Sequence, residues 1–213
     1  MTGALKKPFT LYGRPGSGSW AVQVALEELH LPYERVWVGR DVAEVERFRK
    51  VNPTAKVPAL ELPDGTVMFE SAAMLVHLAL QNPEARLAPQ PGTTRHAMFL
   101  QWMTFMSSNI YEAALRVFYA PRYSPRGEAD AAAIREQGIT DYTAHLSLIA
   151  RSLGPFVLGA DYSLADAYLY MLVSWHPDKE EIAARFPALG AHSVKVLARP
   201  AVAKVETDHQ SSG

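Results

Sequence analysis

The chain has 213 residues, 48% of them hydrophobic, a formal charge of −1 at pH 7 and no cysteine. That apolar share suffices for a substantial core, and the balanced charge without a basic stripe argues against nucleic acid as a partner. The absence of cysteine excludes disulfides, thiolate zinc ligands and any redox step by a protein thiol. The seven histidines lie scattered without paired ligand spacing, so no metal is expected.

From the N-terminus, Pro8 to Tyr12 is short and β-prone and reads as a strand. Gly13-Arg14-Pro15-Gly16-Ser17-Gly18-Ser19 is a loop. A helix follows, with Val22, Ala25, Leu26 and Leu29 at helical spacing. Tyr33 to Val38 reads as a second strand, and Val42 to Lys50 as a short polar helix ended by Asn52-Pro53. Val57 to Leu62 and Thr66 to Phe69 read as strands joined by the turn Pro63-Asp64-Gly65. Ser71 is placed to cap a helix carrying Leu75, Val76, Leu78 and Ala79.

The proline-rich stretch PEARLAPQPG has no periodicity and divides the chain into a mixed domain (1–82), a linker (83–93) and a helical domain (94–213). In the last, Phe99, Trp102, Met103, Met106, Ile110, Ala113 and Val117 form one stripe, and Tyr142, Leu146, Ile149 and Leu153 another. Ser163-Leu164-Ala165-Asp166 has the form of a capping box. No run reaches the roughly 18 apolar residues of a membrane span. MTGALKKPFTLYG lacks the apolar run of a signal peptide. A cytoplasmic protein without a membrane partner is expected.

Val57-Pro58 and Glu70-Ser71 carry the strongest functional signal. A strand edge can pair with an extended peptide, and a helix N-terminus can hold its carboxylate. Gly16 to Ala21 also fits G-x-G-x-x-A, with Glu34 or Asp41 as a ribose acid, but a β-hairpin follows where a dinucleotide fold needs another parallel βαβ unit.

The segments LYGRPGSGSWAVQVALEELHLPYE, NPTAKVPAL, DGTVMFESAAMLVHLA and PFVLGADYSLADAYLYM, then FPAL and ARPAV, in this order and spacing, resemble the glutathione S-transferase family over nearly the whole chain. The resemblance is to bacterial, cysteine-free members with a serine in the first loop. It implies an α/β, thioredoxin-like N-terminal domain that binds glutathione and an all-α C-terminal domain that lines an acceptor site. It also implies a homodimer and, in most members, conjugation of glutathione, as co-substrate, to a small hydrophobic electrophile. A non-catalytic glutathione-binding or scaffold protein of the same fold is the alternative.

By the same resemblance, Val57 meets the cysteinyl backbone beside a cis Pro58. Glu70 and Ser71 hold the γ-glutamyl end, and Lys56 contacts the glycyl carboxylate. For thiol activation the candidates are Ser17, then Ser19, then Tyr12, or the amides of Gly18 and Ser19 alone. Gly18 stands where cysteine-type members carry their cysteine. Met106, Tyr111, Tyr119 and Trp175 are the acceptor-pocket candidates. Tyr111 and Glu112 occupy the places of a histidine and lysine in cysteine-type members.

Overall fold

The computed structural model describes residues 7–211. Contacts divide the chain into two compact units. One runs to Arg86 and resumes at Arg199; the other is Leu87–Ala198. The boundary near residue 86 lies where the proline-rich stretch begins. The closing helix, placed by sequence with the helical half, belongs to the first unit.

The first unit has the order β1 (Phe9–Gly13), α1 (Ser19–Glu28), β2 (Tyr33–Trp37), α2 (Val42–Arg49), β3 (Ala59–Glu61), β4 (Val67–Phe69), α3 (Ser71–Gln81) and, from the far end of the chain, the helix Pro200–Gln210. The sheet order is β2-β1-β3-β4. β1 and β2 are parallel; β3 runs antiparallel to both β1 and β4. This is a mixed four-stranded, thioredoxin-like arrangement, and α1 packs on β1, α3 and the closing helix. Residues Ser19 to Leu26 of α1 are all buried, polar Ser19 and Gln23 among them, because neighbours cover the helix on every side.

β3 is an interior strand, so the expected free strand edge is not there; it pairs with β1 on one side and β4 on the other. The strand also begins at Ala59, two residues later than the sequence suggests. The Val57–Pro58 peptide is cis and lies just before it.

The second unit is helical: α4 (Thr94–Phe105), α5 (Glu112–Phe118), α6 (Ala131–Ser152), α7 (Leu164–Ser174), α8 (Lys179–Arg185) and α9 (Pro187–Leu197), the closing helix of the first unit being α10. Phe99, Met103, Met106, Ile110, Ala113 and Val117 are buried as their spacing predicts. Between α4 and α5, however, Met106–Tyr111 forms a π-helical turn. The apolar stripe steps through it without a break, so the pattern carries no trace of the extra residue per turn.

α7 is buried from Leu164 to Val173. Asp166 at its head is fully buried. Its Oδ2 accepts from the backbone N–H (2.8 Å) and the hydroxyl (3.0 Å) of Ser163, and its Oδ1 from the Val157 N–H at 2.7 Å. His192 Nε2 of α9 lies 2.9 Å from the same Oδ1. The capping box read from the sequence is thus also the knot that ties α7, α9 and the Phe156–Val157 turn together. Among the described residues, no helix is long and apolar enough to cross a membrane.

Candidate active site

The loop between β1 and α1 is set by its own backbone polar groups. Ser17 N–H donates to Arg14 O at 3.2 Å, closing a turn in which Gly16 sits at φ +64°, a conformation glycine adopts without steric cost. The Arg14 guanidinium donates to Val38 O (2.9 Å) and Gly39 O (2.8 Å), which moors the loop to the end of β2. Gly16 N–H points at His209 Nδ1 of α10, 3.3 Å away.

Two hydroxyls share this turn. Ser17 Oγ donates to Arg14 O at 2.7 Å, lies 2.9 Å from Ser19 Oγ and accepts from Ser19 N–H at 3.3 Å. Ser19 Oγ in turn lies 3.2 Å from both Arg14 N and Arg14 O. Ser19 is completely buried, whereas Ser17 is half-exposed. A Cβ on Gly13 would stand 2.5 Å from Ser19 Oγ, so glycine at the end of β1 is what admits Ser19 beneath the loop. Gly18 occupies the N-cap of α1, without a side-chain cap bond.

Tyr12 is not brought into this cluster. Side chains alternate along a strand, so Tyr12 faces away from the Gly13 side occupied by Ser19. Its ring packs 5.8 Å from Phe48 of α2, and its hydroxyl donates to Glu61 Oε2 at 3.3 Å. Burial, and then the Glu61 carboxylate, push the phenol pKa up. Lys7 pairs with Glu61 from the other side.

The second cluster is built around the Val57–Pro58 turn and the head of α3. Asn52, fully buried, organises the approach. Its Nδ2 donates to Lys56 O at 2.7 Å and its Oδ1 accepts from Thr54 N (3.1 Å) and Thr54 Oγ1 (3.0 Å). Lys56 is exposed and Val57 half-buried. Among the described residues, Val57 makes no backbone–backbone hydrogen bond outside the regular elements.

At α3 the cap differs from expectation. Glu70 is the N-cap, held at φ +73° with its carboxylate exposed, and Ser71 is the buried first residue of the helix. Glu70 makes no side-chain cap bond. A non-glycine residue at positive φ is uncommon and concentrates at ligand-binding positions.

In the second unit, Tyr111 stacks on Tyr168 at 6.4 Å and meets Trp175 edge-on at 5.3 Å. Tyr119 lies under the Arg122 guanidinium at 4.2 Å. Met106 is fully buried. The structure therefore joins Tyr111 to Trp175 by a ring contact, with Met106 at the other end of the same π-helical turn as Tyr111. Sequence reasoning missed Arg14, Asn52 and His209. The Asn52-Pro53 dipeptide was a usable signal for Asn52; His209 is 193 residues from Gly16, beyond any local pattern.

Comparison with known proteins adds to this geometry. The sequence description of the glutathione S-transferase N-terminal domain matches residues 17–81, and that of its C-terminal domain matches residues 109–207. The chain belongs to the glutathione S-transferase family. A glutathione transferase homologue from Sulfitobacter, solved with bound glutathione, superposes with a TM-score of 0.87 at 31% identity, covering 94% of this chain and 98% of that one. A sphingomonad glutathione S-transferase complexed with glutathione gives a TM-score of 0.78 at 31% identity, with the same coverage. Among sequence relatives, the uncharacterized GST-like protein YncG of Escherichia coli K12 is 27% identical over 80% of this chain and 83% of its own.

Proposed function

We propose that this family member binds glutathione at the two clusters of its first unit and transfers the tripeptide thiol to a small hydrophobic electrophile. The observation that carries the reading is the head of α3. Glu70 is held at positive φ with its carboxylate exposed, directly ahead of the first N–H groups of an apolar helix. That pair offers an anion for the γ-glutamyl ammonium, and a hydroxyl and helix N-terminus for its carboxylate. Val57 has a backbone N–H and C=O to offer the cysteinyl residue, and Lys56 a cation for the glycyl carboxylate. The glutathione bound in the two related structures supports the same ligand here.

Thiol activation falls to Ser17. A free thiol of pKa about 8.5 is only a few per cent ionised at neutral pH. Lowering the pKa by about two units takes roughly 2.7 kcal/mol. One hydrogen bond to a charged sulfur contributes about 1.5–3 kcal/mol and a helix N-terminus about 0.3–1. Ser17 is the hydroxyl with access. Ser19 can donate to Arg14 O in its stead, which frees the Ser17 proton for the thiolate. The sulfur lone pair then forms a bond to the electrophilic carbon. The pair of the broken bond departs with the displaced group or, on addition to a polarised double bond, the π pair moves to the acceptor end and takes up a proton from solvent.

A homodimer is part of the proposal, and light scattering that returns a monomer mass at micromolar concentration counts against it. The direct test of function is retention on immobilised glutathione, followed by thiol consumption with a panel of electrophiles. Retention with consumption supports the transferase. Retention alone supports the glutathione-binding or scaffold alternative, and loss of retention overturns both.

A further inference from the structure

We infer that His209 of α10 is a positioning residue for Ser17, holding the turn that presents its hydroxyl by accepting the Gly16 amide hydrogen bond. The inference rests on the role given to Ser17 above. A backbone N–H only donates, so His209 Nδ1, 3.3 Å from Gly16 N, is an unprotonated acceptor. The ring proton then sits on Nε2, which donates to Gln23 Oε1 at 3.1 Å. The orientation of the Gln23 amide is fixed independently: its Nε2 donates to Asp208 Oδ2 at 2.8 Å, an oxygen that also accepts from Arg35 at 2.9 Å. Each partner in this chain has one consistent donor or acceptor role, which leaves the imidazole a single tautomer and a single ring orientation.

The ring is buried and braced. The edge of Trp37 meets it at 5.1 Å and 89°, and the Arg35 guanidinium covers the Trp37 ring at 4.4 Å. The helix that carries it is anchored along its length on α1. Arg199 makes a two-pronged contact with Glu28 at 2.5 and 2.8 Å, Lys204 pairs with Glu27 at 2.7 Å, and Trp20 Nε1 donates to Glu206 at 3.0 Å. The bonds of Ser17 to Arg14 O and Ser19 hold the turn on the far side of Gly16, and His209 holds the Gly16 peptide itself. Gly16 is exposed and at positive φ, two residues from the Arg14 mooring and one before Ser17. With the Nδ1 acceptor gone, the Gly16 peptide loses this restraint, and the hydroxyl of Ser17, one residue on, shifts within its remaining bonds. The last turn of α10 thereby becomes part of the support of the β1–α1 loop.

The test compares wild type, His209→Ala and His209→Asn with glutathione bound, by thiolate absorbance against pH and by steady-state kinetics. Asparagine carries its carbonyl oxygen where Nδ1 lies, so it keeps the acceptor for Gly16. His209→Ala should raise the pKa of the bound thiol by roughly 0.5–1 and lower kcat at neutral pH by about three- to tenfold, with KM little changed and the rate recovering in alkali. His209→Asn should restore the titration. If the wild-type thiol ionises early and neither variant moves that titration, the inference fails while the reading of the site stands. If wild type binds glutathione without ionising it, both fall. Should the alanine variant not fold, nitrogen NMR of wild type decides: an Nδ1 that carries the ring proton overturns the inference, and an unprotonated Nδ1 supports it.

Discussion

Ser17 and Ser19 hold their hydroxyl oxygens 2.9 Å apart over the same Arg14 carbonyl, but only Ser17 is open to solvent. Burial therefore separates the two serines. Ser19→Ala removes a fully buried hydroxyl and with it the bonds to Arg14 N, Arg14 O and Ser17 Oγ. The expected cost is about 1–3 kcal/mol of stability. Denaturant unfolding of the variant should show this loss, with glutathione still bound by the folded fraction.

Glu70→Ala tests the other end of the tripeptide. It should lower glutathione affinity by about 2–4 kcal/mol, because the γ-glutamyl ammonium loses its charge partner. The fold should survive, since the carboxylate is exposed and caps nothing. Calorimetry that finds unchanged affinity in a folded variant would remove Glu70 from the site.

Asp166→Ala should be far more damaging to the fold than to the chemistry. It strips the acceptor from Val157 N–H, Ser163 N–H and Oγ, and His192 Nε2 in a fully buried setting. Breaking such a cluster costs about 3–5 kcal/mol. A thermal melt that shifts by only a degree or two would show that the cluster is dispensable.

Stability should also fall with acid through His209. Burial first, and then Arg35, depress its pKa to about 4, against the opposing pull of Asp208. The unfolded chain protonates this ring near pH 6.5. The contribution of the neutral ring is therefore complete above about pH 6.5 and is lost towards pH 4, at up to about 1.4 kcal/mol per pH unit. His176 is depressed in the same direction by its own burial, so the measurement is a difference. The stability of wild type minus that of His209→Asn should shrink as pH falls from 6.5 to 4, and a constant difference would show that the ring is not held neutral.

Much of the first unit was legible because its signals are local. The β-α-β-α-β-β-α order follows from short β-prone runs, the Pro63-Asp64-Gly65 turn and apolar helical spacing. Val57-Pro58 and Glu70-Ser71 were visible as dipeptides at element boundaries. Features set by distant neighbours were not. That β3 is interior depends on β4 and β1 flanking it. The full burial of Ser19 depends on Gly13, and the place of α10 depends on ion pairs to Glu27 and Glu28. Ser71 was read as a cap because serine commonly is one; the positive φ of Glu70 moved the cap back by one residue. The π-helical turn at Met106–Tyr111 left no mark on an apolar stripe that runs through it.

The central claim is that Ser17 ionises the thiol of bound glutathione, and its most direct test is the thiolate absorbance of that complex against pH in wild type and Ser17→Ala. The alanine variant should titrate at higher pH and turn over roughly tenfold or more slowly at neutral pH, from a loss of about 1.5–3 kcal/mol, with the rate returning in alkali. A titration that stays where it was in the folded, glutathione-bound variant would contradict the claim and leave the work to Ser19, Tyr12 or the amides of Gly18 and Ser19.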